Sequence, residues 1–170
     1  TTNALEELIT ASFEGSGNAT EILDRIISYH HEIIQRIFPD PAHPVYKDIR
    51  ECWKQLKTVL EQEKKSSLNC FYDQVICYGE LVSSRIVSHV MTKAGLDHHW
   101  LDIRNILKTD DTYRQAGVNW EASQVNADQE IRPLMGYNNG TRPLILTQGF
   151  IGSEDQGNST SLGREGSDYT

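Results

Sequence analysis

The sequence predicts an α/β protein in which a helical N-terminal subregion precedes a core of mainly parallel strands covered by helices. Three observations lead to that fold class. Residues 1–65 carry apolar side chains at helical spacing and no strand pattern. After them, helix and strand patterns alternate, which favours a parallel sheet. The 170 residues suit a single domain, which we divide into a helical part, 1–66, and an α/β substrate-binding core, 67–170.

Four helices are predicted in the first half of the chain. Asn3 is the expected cap of the first, with Glu6 reaching back to it, and this helix ends near Phe13. Asn18 is the expected cap of the second, and Gly95 ends the fourth. The apolar stripes are Ile22, Ile26, Tyr29, Ile33 and Ile37 in the second helix, Val45, Ile49, Trp53, Leu56 and Leu60 in the third, and Phe71, Val75, Tyr78, Val82, Ile86 and Val90 in the fourth.

The second half is predicted to contain a strand over residues 96–103, a helix over residues 120–135 and a buried strand over residues 144–146. Neither histidine pair is expected to bind a metal. On a helix, His30 and His31 point in different directions and would belong to the polar face. On a strand, His98 and His99 face opposite sides.

Composition restricts the functions that the chain can serve. Its net charge of −8 argues against a nucleic-acid-binding or membrane surface. The three cysteines are an odd number without closely spaced pairs, which is typical of a reducing cytosol and excludes a disulfide framework. No apolar run approaches the roughly 20 residues that span a bilayer, and no signal-peptide pattern opens the chain. We therefore expect a cytoplasmic protein.

The stretch 143–170 carries the strongest functional signal. After the apolar run 144–146, Gly149 and Gly152 interrupt the pattern, a polar loop is predicted over 153–161, and G-R-E-G-S-D follows from Gly163. Glycines let backbone N–H groups approach a ligand, and an arginine can bind a carboxylate or phosphate through two parallel hydrogen bonds. The pattern predicts an anion and substrate site at Arg164. An ordinary turn with a solvated surface ion pair fits the same residues.

The same stretch reads Q-G-F-I-G-S-E and then G-R-E-G-S-D-Y-T, and it closely resembles aspartate kinase, a member of the amino-acid kinase family. Three further segments match in order: T-N-A-L from Thr2, G-E-L-V-S from Gly79 and W-L-D-I-R from Trp100. The resemblance spans the whole chain and implies part of the three-layer fold of that family. The family usually opens with K-F-G-G-T-S, which has no counterpart here, so an internal fragment of the catalytic domain is expected.

The resemblance implies ATP-dependent phosphorylation of the L-aspartate side-chain carboxylate to 4-phospho-L-aspartate, the first step toward lysine, threonine and methionine. It assigns Glu80 to the substrate ammonium and Arg164 to a substrate carboxylate. Thr2 and Ser167 would hydrogen-bond the bound aspartate, and Asp168 would be the catalytic aspartate that orients the lysine of K-F-G-G. ATP and Mg²⁺ belong to the full enzyme, which is expected to be a homo-oligomer. No residue of the chain is assigned to a metal or a cofactor.

Other interpretations stay open at this point. Without the resemblance, Thr2 is an ordinary first-turn hydroxyl and Glu80 an exposed helix carboxylate. A different amino-acid kinase, or a catalytically silent amino-acid-binding or assembly module of the same fold, is the alternative function. The K-F-G-G lysine, the nucleotide-binding half and the C-terminal ACT domains of the family have no counterpart in the sequence. We therefore expect the chain by itself to have little or no kinase activity.

Overall fold

A computed structural model describes residues 1–15, 17–62, 67–136 and 143–163. Its helices are α1 (Thr2–Phe13), α2 (Ala19–Ile37), α3 (Pro44–Gln62), α4 (Leu68–Lys93) and α5 (Trp120–Glu130). Its strands are β1 (His98–Trp100), β2 (Leu144–Leu146), β3 (Ile151–Ser153) and β4 (Ser159–Ser161), and 3-10 turns cover Ile103–Asn105 and Arg132–Met135. The chain forms two compact units, Thr1–Ile86 and Val87–Thr170, with the boundary inside α4.

Helix α4 supplies much of the core of the first unit. All residues from Asp73 to Tyr78 are buried, which covers every side of the helix and marks it as a central element. The other three helices contribute single apolar faces, with Leu5, Ile34 and Leu56 almost completely buried. The predicted positions of the third and fourth helices are confirmed by these elements.

Gly79 marks the place where α1 packs against α4. A Cβ atom built on this glycine would lie 3.3 Å from Leu5 Cδ1 and 3.9 Å from Thr1 Cγ2. Carbon atoms at optimal contact are about 3.5–4.0 Å apart, so even one methyl group would be crowded here. The glycine therefore allows the close approach of the two helices.

The predicted cap of the first helix is wrong. Helix α1 begins at Thr2 with Thr1 as its N-cap, so Asn3 lies inside the first turn and cannot close a capping box. Glu6 instead accepts a hydrogen bond of 2.8 Å from the hydroxyl of Tyr72. The Glu6 carboxylate thus joins α1 to α4 and does not cap the start of α1.

The predicted polar position of His30 is also wrong. The buried face of α2 consists of Ile22, Leu23, Ile26, His30 and Ile34. It is therefore rotated from the predicted stripe, leaving Tyr29 55% exposed and His30 only 4% exposed. A burial of this kind is possible because both ring nitrogens of His30 find hydrogen-bonding partners.

In the second unit, β1 and β2 form a parallel pair with His98 opposite Leu144. The first strand is shorter than predicted, because the carboxylate of Asp102 accepts a hydrogen bond from the Arg104 N–H and begins a 3-10 turn. The prediction of full burial for residues 144–146 is wrong, since Leu144 is 51% exposed. Within the described residues this sheet has two strands, which leaves the beginning of β2 uncovered.

The predicted polar loop over 153–161 is instead part of an antiparallel hairpin in which β3 and β4 are fully buried. Its hydroxyl groups are satisfied inside the unit: the Thr160 and Thr109 hydroxyls lie 2.7 Å apart, and Ser153 donates to the Arg104 carbonyl at 2.6 Å. Glu154 closes the turn by accepting the backbone N–H groups of Gln156 and Asn158. A hydroxyl-rich strand gives no apolar pattern, which is why the sequence suggested a loop.

The fourth helix ends as predicted. Gly95 has a φ of 74°, its N–H bonds to the Thr92 carbonyl, and the Leu96 N–H bonds to the Met91 carbonyl. These are the two hydrogen bonds of a Schellman motif. Across the described ranges, no helix has the length and apolar character needed to cross a membrane.

Replacing Gly79 by valine is expected to destabilise the first unit by about 1–3 kcal/mol, because its branched side chain would overlap Leu5. Chemical denaturation followed by circular dichroism measures the change. Ser83→Val places the same side chain on an exposed position of α4 and should cost under about 0.5 kcal/mol. The Leu5→Ala and Gly79→Val changes should be less costly together than the sum of their separate effects. Equal costs for Gly79→Val and Ser83→Val would contradict the proposed packing.

Replacing Gly152 by alanine is expected to destabilise the second unit by about 1–3 kcal/mol. The added Cβ would lie 2.9 Å from both the Leu107 carbonyl oxygen and Thr109 Cγ2, and the backbone oxygen cannot rotate away. Gly136→Ala is the matched control, because no heavy atom of the described residues lies within 4 Å of the position that its added methyl group would take. Thermal unfolding of both variants would disprove the crowding if their midpoints were the same.

Candidate functional site

The described residues contain two of the five predicted site residues, Thr2 and Glu80. Thr2 is exposed in the first turn of α1, and Glu80 is half-buried in α4. Arg164, Ser167 and Asp168 lie outside the described residues. The structure therefore gives the geometry of only one part of the candidate site, the part formed by α1 and α4.

The first turn of α1 is fixed to α4 at two places. Leu5 and Thr1 contact the helix at Gly79, and Glu6 binds the Tyr72 hydroxyl two turns away. Thr2 and Glu80 each adjoin a residue of the Gly79 contact, so the packing brings their segments together. Thr2 and Glu80 are 78 positions apart in the sequence, and helical periodicity alone does not predict that their segments meet.

Thr1 is fixed from the opposite side by His30. The Nδ1 atom of His30 lies 2.8 Å from the Ile26 carbonyl oxygen, which can only accept, so Nδ1 carries the proton. The Nε2 atom then accepts from the Thr1 hydroxyl at 3.3 Å. Burial lowers the pKa of His30, which keeps the ring neutral as this arrangement requires. The hydroxyl that could cap α1 is thus used to attach the start of α1 to α2.

Glu80 is the electrostatically unusual group of this region. Desolvation by burial raises the pKa of its carboxyl group. Within the part of the chain that the structure describes, no hydrogen bond or ion pair reaches this carboxylate, and the nearby Ser83 hydroxyl donates to the Glu80 backbone oxygen. A half-buried carboxylate without a counter-charge favours any cation that can reach it. An ammonium group is a suitable partner.

In the second unit, Gln148 joins two of the motif segments. Its side chain is 1% exposed. Its Oε1 atom accepts the Ile103 N–H at 2.9 Å, and its Nε2 atom donates to the Leu101 carbonyl at 3.1 Å. The Q-G-F-I-G-S-E segment is therefore bonded through its first residue to W-L-D-I-R.

Arg104 organises the same region. Its guanidinium binds both carboxylate oxygens of Asp102, at 2.9 Å through Nε and 2.6 Å through Nη2, and donates to the Ser159 hydroxyl at 2.9 Å. Lys108 donates to the Ser153 hydroxyl at 2.9 Å. No role is predicted for these side chains from the sequence. The Asp-x-Arg spacing at the end of a strand was the signal that could have revealed the pair.

The described residues contain no group of three histidine, cysteine, aspartate or glutamate side chains that could hold a metal ion. We therefore assign no Mg²⁺ ligand to them. The three cysteines are buried as free thiols.

No protein-family model matches the sequence. Lysine-sensitive aspartokinase 3 of Escherichia coli K12 is 29% identical over 169 residues, which cover 98% of this chain and 36% of that enzyme. An aspartokinase of Chlamydia pneumoniae is 30% identical over 152 residues, or 88% of this chain and 30% of the relative. The chain resembles aspartokinases over 88–98% of its length. It spans about a third of the length of these aspartokinase relatives.

Comparison of structures supports the same assignment. The crystal structure of E. coli aspartokinase III in complex with aspartate and ADP has a TM-score of 0.80 to this chain and 28% sequence identity, covering 98% of this chain and 36% of that one. The α/β fold predicted from the sequence is thereby confirmed. The resemblance of the chain to aspartokinases is confirmed as well.

Replacing Glu80 by glutamine is expected to stabilise this aspartokinase-like chain at pH 7. A carboxyl group whose pKa is raised in the folded state destabilises that state once the pH exceeds the ordinary glutamate value. The gain should therefore shrink as the pH falls from the raised pKa of the folded state to the ordinary glutamate pKa of about 4.3, and it should be absent below that value, where both states are protonated. Urea unfolding at several pH values measures it, with the exposed Glu14→Gln as the matched control. A loss of stability at pH 7 would show that the carboxylate has a stabilising partner.

Proposed function

We propose that this chain forms the substrate-binding part of an aspartate kinase, which transfers the γ-phosphoryl group of ATP to the side-chain carboxylate of L-aspartate. Similarity to aspartokinases over nearly the whole chain supports the reaction, and the E. coli relative was crystallised with aspartate and ADP. The observation that carries the proposal is Glu80, a half-buried carboxylate without a described counter-charge beside the first turn of α1. The ammonium group of an amino acid supplies the missing charge.

The proposed division of labour follows from the chemistry of a zwitterionic substrate. Glu80 binds the ammonium group, and Arg164 binds a carboxylate through its two parallel donors. Thr2 and Ser167 donate hydrogen bonds to the bound aspartate, and Asp168 orients the catalytic lysine expected in the complete enzyme. The attacking carboxylate is already ionised at neutral pH, so the protein has to align it and needs no strong base.

ATP is the phosphoryl donor in this proposal, and Mg²⁺ neutralises charge on its phosphates. Both are assigned to the complete enzyme, which we propose to be a cytosolic homo-oligomer acting early in lysine, threonine and methionine formation. Little or no kinase activity is proposed for the 170-residue chain by itself. The role of the chain is to bind and orient the acceptor.

Glu80→Gln in the complete gene product is expected to raise the KM for L-aspartate about 10- to 100-fold, because one hydrogen bond to a charged group is lost. Trapping of the acyl phosphate with hydroxylamine measures turnover. Glu80→Asp should recover part of the affinity, and the exposed Glu14→Gln should leave KM unchanged.

A comparison with N-acetyl-L-aspartate, which lacks the ammonium group, separates ammonium recognition from general damage. The unchanged enzyme should bind L-aspartate more tightly than this analogue, and Glu80→Gln should remove most of that preference. If Glu80→Gln kept both the KM and the preference, Glu80 would not be the ammonium ligand. Absence of aspartate phosphorylation by the complete gene product would reject the function itself.

A further inference from the structure

We propose that a groove between α2 and α3 binds a small organic anion with a flat apolar body, such as an aromatic phosphate or carboxylate. The groove has a volume of about 440 Å³ and lies wholly within the first unit. Its cations are Arg50, Lys54 and Lys57, and its aromatic residues are Tyr46 and Trp53. It is distinct from the α1–α4 region and does not depend on the function proposed above.

The groove carries positive charge in an acidic chain. Arg50, Lys54 and Lys57 follow one another at steps of four and three residues, which places them on one face of α3 over about 10 Å. Among the described residues that line the groove there is no carboxylate, although the net charge of the chain is −8. Three clustered cations that face a groove make an anion the matching ligand.

The charges of the groove are largely uncommitted. Lys54 reaches Glu51 only at 4.0 Å, with both side chains more than half exposed, so this pair contributes little. Among the described residues, neither the Arg50 nor the Lys57 side chain has a hydrogen bond or an ion pair. Arg50 can therefore offer its planar donors to a phosphate or carboxylate.

The floor of the groove is rigid and apolar. Ile34, Ile49 and Trp53 line it while being only 2–6% exposed, so each is fixed by packing on its other side. Tyr46 is held by a 2.7 Å hydrogen bond from its hydroxyl to the Phe38 carbonyl, and its ring lies 5.6 Å from that of His31. A preformed apolar surface binds a flat ring without the cost of ordering new side chains.

The shape and charge together identify the ligand class. A volume of this size suits a small molecule, since such sites are commonly about 300–1,000 Å³. A long polyanion is disfavoured because the rest of the chain carries the same negative sign. A simple inorganic anion would use the cations and leave the apolar floor uncovered. An aromatic ring with an anionic group can contact both the cations and the apolar floor.

The test is a titration of the ¹⁵N-labelled 170-residue chain with 1-naphthyl phosphate, 1-naphthol and inorganic phosphate, followed by amide and indole chemical shifts. Saturable shifts from naphthyl phosphate are expected at α2 and α3 residues around the groove and at the Trp53 indole N–H. Naphthol and inorganic phosphate should each bind about tenfold more weakly, because each lacks one half of the interaction.

The double change Arg50→Gln and Lys57→Gln is expected to weaken naphthyl phosphate about tenfold or more. Its control is Arg36→Gln with Lys47→Gln, which removes the same number of positive charges from positions on α2 and α3 that do not line the groove. Equal weakening by both pairs, equal binding of naphthol, or shifts centred elsewhere would overturn the proposal. So would the absence of any saturable shift up to about 10 mM ligand. None of these outcomes bears on aspartate binding.

Discussion

The close contact between α1 and α4 at Gly79 is the constraint on which the candidate substrate region depends. A glycine inside a helix costs about 1 kcal/mol relative to alanine. Complete burial of Leu5 against it offsets that cost, since a buried leucine contributes about 1.5–3 kcal/mol. The same approach that buries Leu5 places the α1 segment carrying Thr2 beside the helix that carries Glu80. The same helix packing therefore stabilises the first unit and sets the geometry of the candidate site.

In the second unit, hydrogen bonds between buried polar groups fix the arrangement of the chain. Its hairpin buries hydroxyls as well as the apolar side chain of Ile151. These hydroxyls are paired: Thr160 with Thr109, and Ser153 with Lys108 and the Arg104 carbonyl. Such networks stabilise a single arrangement when all members are satisfied. Gln148 extends the network to W-L-D-I-R. Some residues of these motifs, such as Gln148, therefore hold the fold together.

The sequence was informative where one physical effect dominated. Helical periodicity located α3 and α4, and the glycine after α4 was correctly predicted to end it. It misled where tertiary contacts supplied what local patterns could not. Asn3 has an ideal capping sequence, but Thr1 occupies the cap position. His30 looked polar until two neighbours satisfied its ring nitrogens. The 153–161 segment looked like a loop because its buried strands carry serine and threonine.

Glu80 shows why a site residue can be suggested by sequence while its chemistry requires a structure. The letters G-E place a carboxylate next to a glycine, but they do not reveal that it is half-buried and lacks a described partner. In the free chain, burial disfavours the ionised form. A bound ammonium would favour that form through direct charge interaction, in a setting less screened than bulk water. Binding of the cation and ionisation of the carboxylate are then coupled. Burial of Glu80 therefore destabilises the ligand-free fold and also favours a positively charged ligand.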